Sequence, residues 1–223
     1  MGASISCMNY SKDYMLDIFP VVNDEKSFNI YIEYARKYKH ILEIHTLLKK
    51  KGFINADNTL TTGDTPFNVF ARFASGKMKN PVDQSILGNF SEDWMVCHNR
   101  PEFDRDWDDV TNNKVSMSRP DVNGPGHVFI TTKNLNWKFF NVTTIVLTGN
   151  VKFLLELKKA ATHYVTMRGW KKYGFYFHCF PHNTVNSLHL HVCNESDGFI
   201  GHTHQYTHYK NLPLDVAIAV ASK

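Results

Sequence analysis

A chain of 223 residues with 43% hydrophobic, 13% aromatic and 21% charged residues lies in the globular range. It is long enough to bury one sizeable core and too apolar to remain disordered. Lysine and arginine number 25 against 21 aspartates and glutamates, and the resulting charge of +4 is too small and too dispersed for a duplex-binding face, so no duplex nucleic acid is expected as a partner.

In chain order, the opening Met1-Gly2-Ala3-Ser4-Ile5-Ser6-Cys7 fits a myristoylation pattern at Gly2, with Cys7 as a second acyl site, and implies a membrane surface as one partner. No stretch of about eighteen apolar residues is present to span a membrane. Neither a secretory apolar core nor a C-x-x-C pair occurs, and Cys7, Cys97, Cys179 and Cys193 fit a reduced, cytoplasmic protein. From Ser27 to Lys51, Tyr31, Tyr34, Ala35, Tyr38, Ile41, Leu42, His45 and Leu48 recur at steps of three and four. That spacing predicts one amphipathic helix stopped by Gly52, its apolar face packed on the main domain or on a second subunit. Residues 1–66 read as an N-terminal helical extension, with 55–66 a turn-rich linker, and 67–223 as the main domain.

Within the main domain the pattern predicts a helix over Phe67–Gly76, a short strand at Trp94–Cys97 and a polar loop over Asn99–Gly126. Asp104, Asp106, Asp108 and Asp109 in that loop lack the glycine and terminal glutamate of an EF-hand, and read as a solvated acidic stretch. His127–Thr132 is β-branched and apolar, a strand; Val142–Leu147 is β-prone, strand or loop. Asn150 then caps a helix carrying Phe153, Leu157, Ala161, Tyr164 and Arg168 on one stripe, with Gly169 past its end. Gly174–Phe180 and Leu188–Cys193 follow as two strands, an α+β order with an antiparallel sheet.

Eight of the 12 histidines fall between His163 and His208. In the last strand Leu188, Leu190 and Val192 alternate with Ser187, His189, His191 and Cys193, so two imidazoles point the same way. Such a pair serves a metal site with Cys193, a nucleophilic site attacking phosphorus, or simply a polar strand face. His202, His204 and His208 form a second group, read as a loop over the site or a subunit contact, with zinc binding as the alternative.

The run Gly174-Phe-Tyr-Phe-His178-Cys-Phe-Pro181-His-Asn183-Thr184-Val-Asn-Ser187-Leu-His189-Leu-His191-Val192 resembles the signature of the histidine triad (HIT) superfamily of nucleotide hydrolases and transferases. It is nearest the branch of aprataxin-like and histidine triad nucleotide-binding proteins. Asn68–Lys77, Trp94–Asn99 and Gly126–Lys133 are similar to that family's opening helix, first strand and central strand, and the likeness covers about Phe67 to Pro213.

The resemblance implies an antiparallel HIT-like sheet with flanking helices and no cofactor. It places His189 as the nucleophile, His191 beside the α-phosphate, His178 on phosphate, and Thr184 on the leaving-group atom. Ser187 stands where the family has its first triad histidine, and Asn99 where it has a ribose-binding aspartate. Asn183 is placed with the nucleotide; Phe70, Phe73 and Val96 line the base pocket or pack the core. An alternative register makes His191 the nucleophile and Cys193 the third position.

The activity implied is hydrolysis or nucleotidyl transfer at the α-phosphate of an AMP- or GMP-type conjugate through a nucleotidyl-histidine, by a homodimer. The alternatives are a catalytically weak nucleotide-binding protein of the same fold and a metal-binding, membrane-anchored interaction module. His182 reads as a loop residue near the site, His163 as structural, and His40, His45, His98 and His127 as scaffold.

Overall fold

The computed structural model of the chain describes residues 12–62, 69–76, 84–98, 126–183, 185, 187–195 and 208–223. Three helices open it: α1 (Lys12–Ile18), α2 (Glu25–Lys37) and α3 (His40–Lys50). Asp24 starts α2 with a capping box, accepting from the Ser27 amide at 2.7 Å while Ser27 answers the Asp24 amide.

The single helix expected over Ser27–Lys51 is therefore two. Lys39 takes a left-handed φ of 54°, and its amide folds back on the Arg36 carbonyl. The break redirects α3 so that Leu48 packs with Ile54, Leu60, Ala71 and Phe140 in a satellite cluster. Gly52 closes α3 with φ 72°, as its position after the last apolar residue predicts.

The sheet consists of β1 (Trp94–His98), β2 (His127–Thr132), β3 (Tyr173–Phe177), β4 (Leu190–Asn194) and β5 (Leu212–Pro213). Their order is β1-β2-β4-β3-β5 and every neighbouring pair is antiparallel, so the chain is α+β. Alternation gives the sheet two faces. Val96, Val128, Ile130, Phe177, Leu190 and Val192 enter the main core, and they meet residues of α1, α2, α6 (Val151–Met167) and α7 (Leu214–Ala221) there. Met15, Phe19, Phe28, Tyr31 and Ile32 of the first 66 residues sit in that same core, and α2 packs on α7.

Val142–Leu147, ambiguous between strand and loop in the sequence, forms helix α5. Asn141 caps it, accepting from the Thr144 amide at 2.9 Å, and Val142 through Val146 are all buried. Cap and burial outweigh the β-branched preference. Asn150 precedes α6, but its side chain donates to the Thr148 hydroxyl at 2.6 Å and does not cap the helix.

The two strands expected at Gly174–Phe180 and Leu188–Cys193 are shorter. β3 ends at Phe177, and the chain turns over Cys179–Asn183, where His182 and Asn183 amides donate to the Cys179 carbonyl. Among the described residues no helix is long and apolar enough to cross a membrane, and the buried Cys97, Cys179 and Cys193 form no disulfide there.

A close approach on β3 fixes one glycine. Tyr176 donates to Glu195 Oε1 at 2.7 Å, and its ring lies over Gly174. A Cβ there would stand 2.3 Å from Tyr176 Cε2 and 2.4 Å from Glu195 Oε1. Gly174→Ala is expected to break this pair and lower stability by about 1–3 kcal/mol. Thermal melts of Gly174→Ala, Tyr176→Phe and the double variant check it, since Tyr176→Phe should cost almost nothing further once Gly174 is replaced.

Candidate active site

The second face of the sheet carries the histidines. On β2, His127, Phe129 and Thr131 alternate with the core residues; on β4, His191 and Cys193 do the same; His189 immediately precedes β4, and His178 follows β3. The register sets Phe129 opposite His191 and His127 opposite Cys193, while Tyr176 faces His191 from β3. Helix α4 (Val69–Ala74) covers part of this face through Phe70, which clusters with Met95, Cys97 and Phe129.

Four imidazoles converge there. His127 Nε2 and His191 Nδ1 are 3.1 Å apart. The His178 and His191 rings approach to 4.0 Å between centroids, and those of His189 and His191 to 4.9 Å. His189 Nδ1–H donates to the Ser187 main-chain carbonyl at 2.7 Å. In a neutral ring that assignment leaves the lone pair on Nε2. With the Asn211 amide oxygen as acceptor, His178 donates through Nε2–H at 2.8 Å, and its Nδ1 carries the lone pair. The Nε2 atom of His191 is buried and has no hydrogen-bond partner among the described residues.

Burial keeps these rings uncharged. It pushes His127 down to about 3, with the neighbouring His189 adding to the effect. His189 falls to about 4 through burial, partly offset by its bond to the Ser187 carbonyl. His178 and His191 lie well below the usual histidine value; burial is the main cause, and the other imidazoles and the Lys210 ammonium add to it. At neutral pH the site is a cluster of neutral donors and acceptors. Cys193 is fully buried and its thiol is pushed up by that burial, which disfavours the thiolate a metal would need. Among the described residues no group of three His, Cys, Asp or Glu side chains is arranged to hold a metal ion.

His178, His189, His191 and Ser187 are thus brought together, Ser187 through its carbonyl. Asn183 lies in the turn after Cys179, its amide nitrogen directed to the Val185 carbonyl at 3.4 Å. Phe70 is against His189, and Phe73 is half-buried beside Phe70. Val96 is fully buried on the opposite face, in the main core, because it alternates with Met95 and Cys97, which face the histidines. Gly2, Cys7, Asn99, Thr184, His202, His204 and the acidic stretch at 104–109 lie outside the described residues. His182 donates from Nε2 to the Phe19 carbonyl at 2.7 Å and so ties the N-terminal segment to the turn. His163 packs on Phe90, and His45 bonds Asn58 and packs on Trp137.

His127 belongs to the cluster and not to the scaffold alone, which corrects its reading from the sequence. Its place on the alternating face of β2 was available from the pattern; its partner, 64 positions downstream, was not. Asn211 and Phe129 are further contacts that sequence reasoning left out. A comparison with protein-family models, curated proteins and solved structures finds no match to this chain.

Proposed function

We propose that the chain is a HIT-type nucleotide hydrolase or nucleotidyltransferase that acts at the α-phosphate of a purine nucleotide conjugate through a covalent nucleotidyl intermediate on His189. The observation that carries the reading is the 2.7 Å bond from His189 Nδ1–H to the Ser187 carbonyl, which leaves a neutral ring with its lone pair on Nε2. The displacement then balances simply. The Nε2 lone pair forms a bond to phosphorus, the bond to the leaving group breaks with its electrons, and the leaving group takes up a proton from solvent. Water next attacks the same phosphorus and gives up a proton to solvent, the N–P bond breaks, and the nucleoside monophosphate departs with His189 restored.

The neighbours have defined parts in this scheme. When His127 donates through Nε2–H, His191 accepts at Nδ1 and presents Nε2–H, a buried donor for a phosphoryl oxygen. His178 carries its lone pair at Nδ1 and keeps its own donor on Asn211, so as a neutral ring it does not itself donate to phosphate. Ser187 in place of a histidine is no obstacle to orienting the nucleophile, because every residue type supplies a carbonyl.

The reading is tested by incubating the full chain with adenosine 5′-phosphoramidate and, separately, a dinucleoside polyphosphate, followed by rapid quench at alkaline pH and peptide mass spectrometry. The expected result is a nucleotidyl adduct on His189 together with release of the monophosphate. Nucleotide binding with neither adduct nor turnover would instead favour a binding protein of the same fold.

A further inference from the structure

The ring read as the nucleophile is held by two other aromatic rings. Phe70 lies face to face with His189, 4.6 Å between centroids and 16° between planes. Phe129 stands perpendicular to His189 at 5.3 Å and 90°, and Phe70 meets Phe129 at 5.6 Å and 76°. The three rings close a triangle, backed by Met95 and Cys97 of β1. Phe70 is only 6% exposed, so it has little surface left to offer a nucleobase. Phe73, half-buried and 6.1 Å from Phe70, keeps more.

The Ser187 carbonyl fixes one atom of the imidazole. By itself that bond allows the ring to rock about the Nδ1···O line and swing the Nε2 lone pair through an arc. A flat neighbour stacked on one face, with a second ring set edgewise, removes that motion. In-line displacement at phosphorus requires the attacking lone pair to lie along the axis of the breaking bond.

We propose that Phe70 is a positioning residue of the nucleophile: its stacked ring fixes the plane of His189 and so the direction of the Nε2 lone pair. The proposal rests on reading His189 as the nucleophile and moves Phe70 from the wall of a base pocket to the support of the reacting group.

A phosphoryl donor without base or ribose tests it. Phosphoramidate ion transfers its phosphoryl group to an imidazole: Nε2 bonds to phosphorus, the P–N bond breaks, and ammonia leaves. In the full chain, wild-type His189 is expected to be labelled at Nε2. Phe70→Leu should slow that labelling about tenfold, less than the roughly 100-fold that a 1 Å misplacement costs, and Phe70→Tyr should restore most of the rate by keeping the ring. The His189 ring-proton NMR signals should move downfield in Phe70→Leu, where the stacked ring current is lost, and stay in place in Phe70→Tyr. Equal labelling of wild type and Phe70→Leu, or equal losses in the Leu and Tyr variants, would overturn the proposal. A wild-type His189 that takes no label overturns the nucleophile reading and this proposal with it.

Discussion

His189→Ala should lower turnover of adenosine 5′-phosphoramidate by about 10⁴-fold or more, the scale of losing a covalent nucleophile, while Ser187→Ala stays within severalfold of wild type. The contrast comes from which atoms meet. His189 Nδ1–H bonds the main-chain oxygen of Ser187, and that oxygen survives the change to alanine. The Ser187 side chain is itself buried, only 4% exposed, so its loss removes one small polar group and not the orienting acceptor. Steady-state rates of the two variants, with thermal melts to establish that each is folded, make the comparison. A Ser187→Ala rate as low as that of His189→Ala would assign the orienting role to the hydroxyl and sink the carbonyl account.

The same distinction between side chain and main chain marks what the sequence could disclose. Alternation over Ser187–Cys193 places His189 and His191 on one face, and the structure keeps them there. It also places Met95 and Cys97 opposite Val96, a parity that assigns Val96 to the core once the histidine face is known. Pairing between strands is not local. That Phe129 stands across from His191, and His127 next to it, depends on a sheet order in which β4 lies between β2 and β3.

Helix periodicity likewise carried the apolar face of α2 and α3 but not the break between them. The left-handed turn at Lys39 uses no glycine or proline. It reflects where α3 must turn for Leu48 to pack with Ile54, Leu60 and Phe140, contacts that no local pattern encodes. Val142–Leu147 shows the reverse case, in which a local signal was present in Asn141 and its cap to Thr144 but β-branched composition competed with it.

Acid should unfold the protein at a pH well above the usual carboxylate range, and the histidine cluster sets the sign. An unfolded histidine titrates near 6.5. In the folded chain burial lowers His127 to about 3 and His189 to about 4, and holds His178 and His191 well below the ordinary value. Between those limits the unfolded chain binds protons that the folded chain refuses, so stability rises with pH there and is lost as pH falls. Above about pH 7 the contribution is fully present.

Each such ring contributes a slope of about 1.4 kcal/mol per pH unit, with the part-exposed His189 contributing less because solvent screens it. Three or four rings together approach about 4 to 5 kcal/mol per unit, against a total stability of about 5–15 kcal/mol. A chain at the lower end of that range should therefore unfold cooperatively near pH 5, before the cluster itself is protonated in the folded state. Tryptophan fluorescence and circular dichroism followed from pH 8 to pH 3 would measure the midpoint, and His127→Phe, which removes one buried titrating ring, should move it to lower pH. A thermal stability at pH 4.5 equal to that at pH 7 would show that the rings are not buried in neutral form. The neutral nucleophile has a corresponding consequence for activity: because His189 keeps its lone pair down to about 4, the acid limb of turnover should coincide with the unfolding transition and not with protonation of the nucleophile.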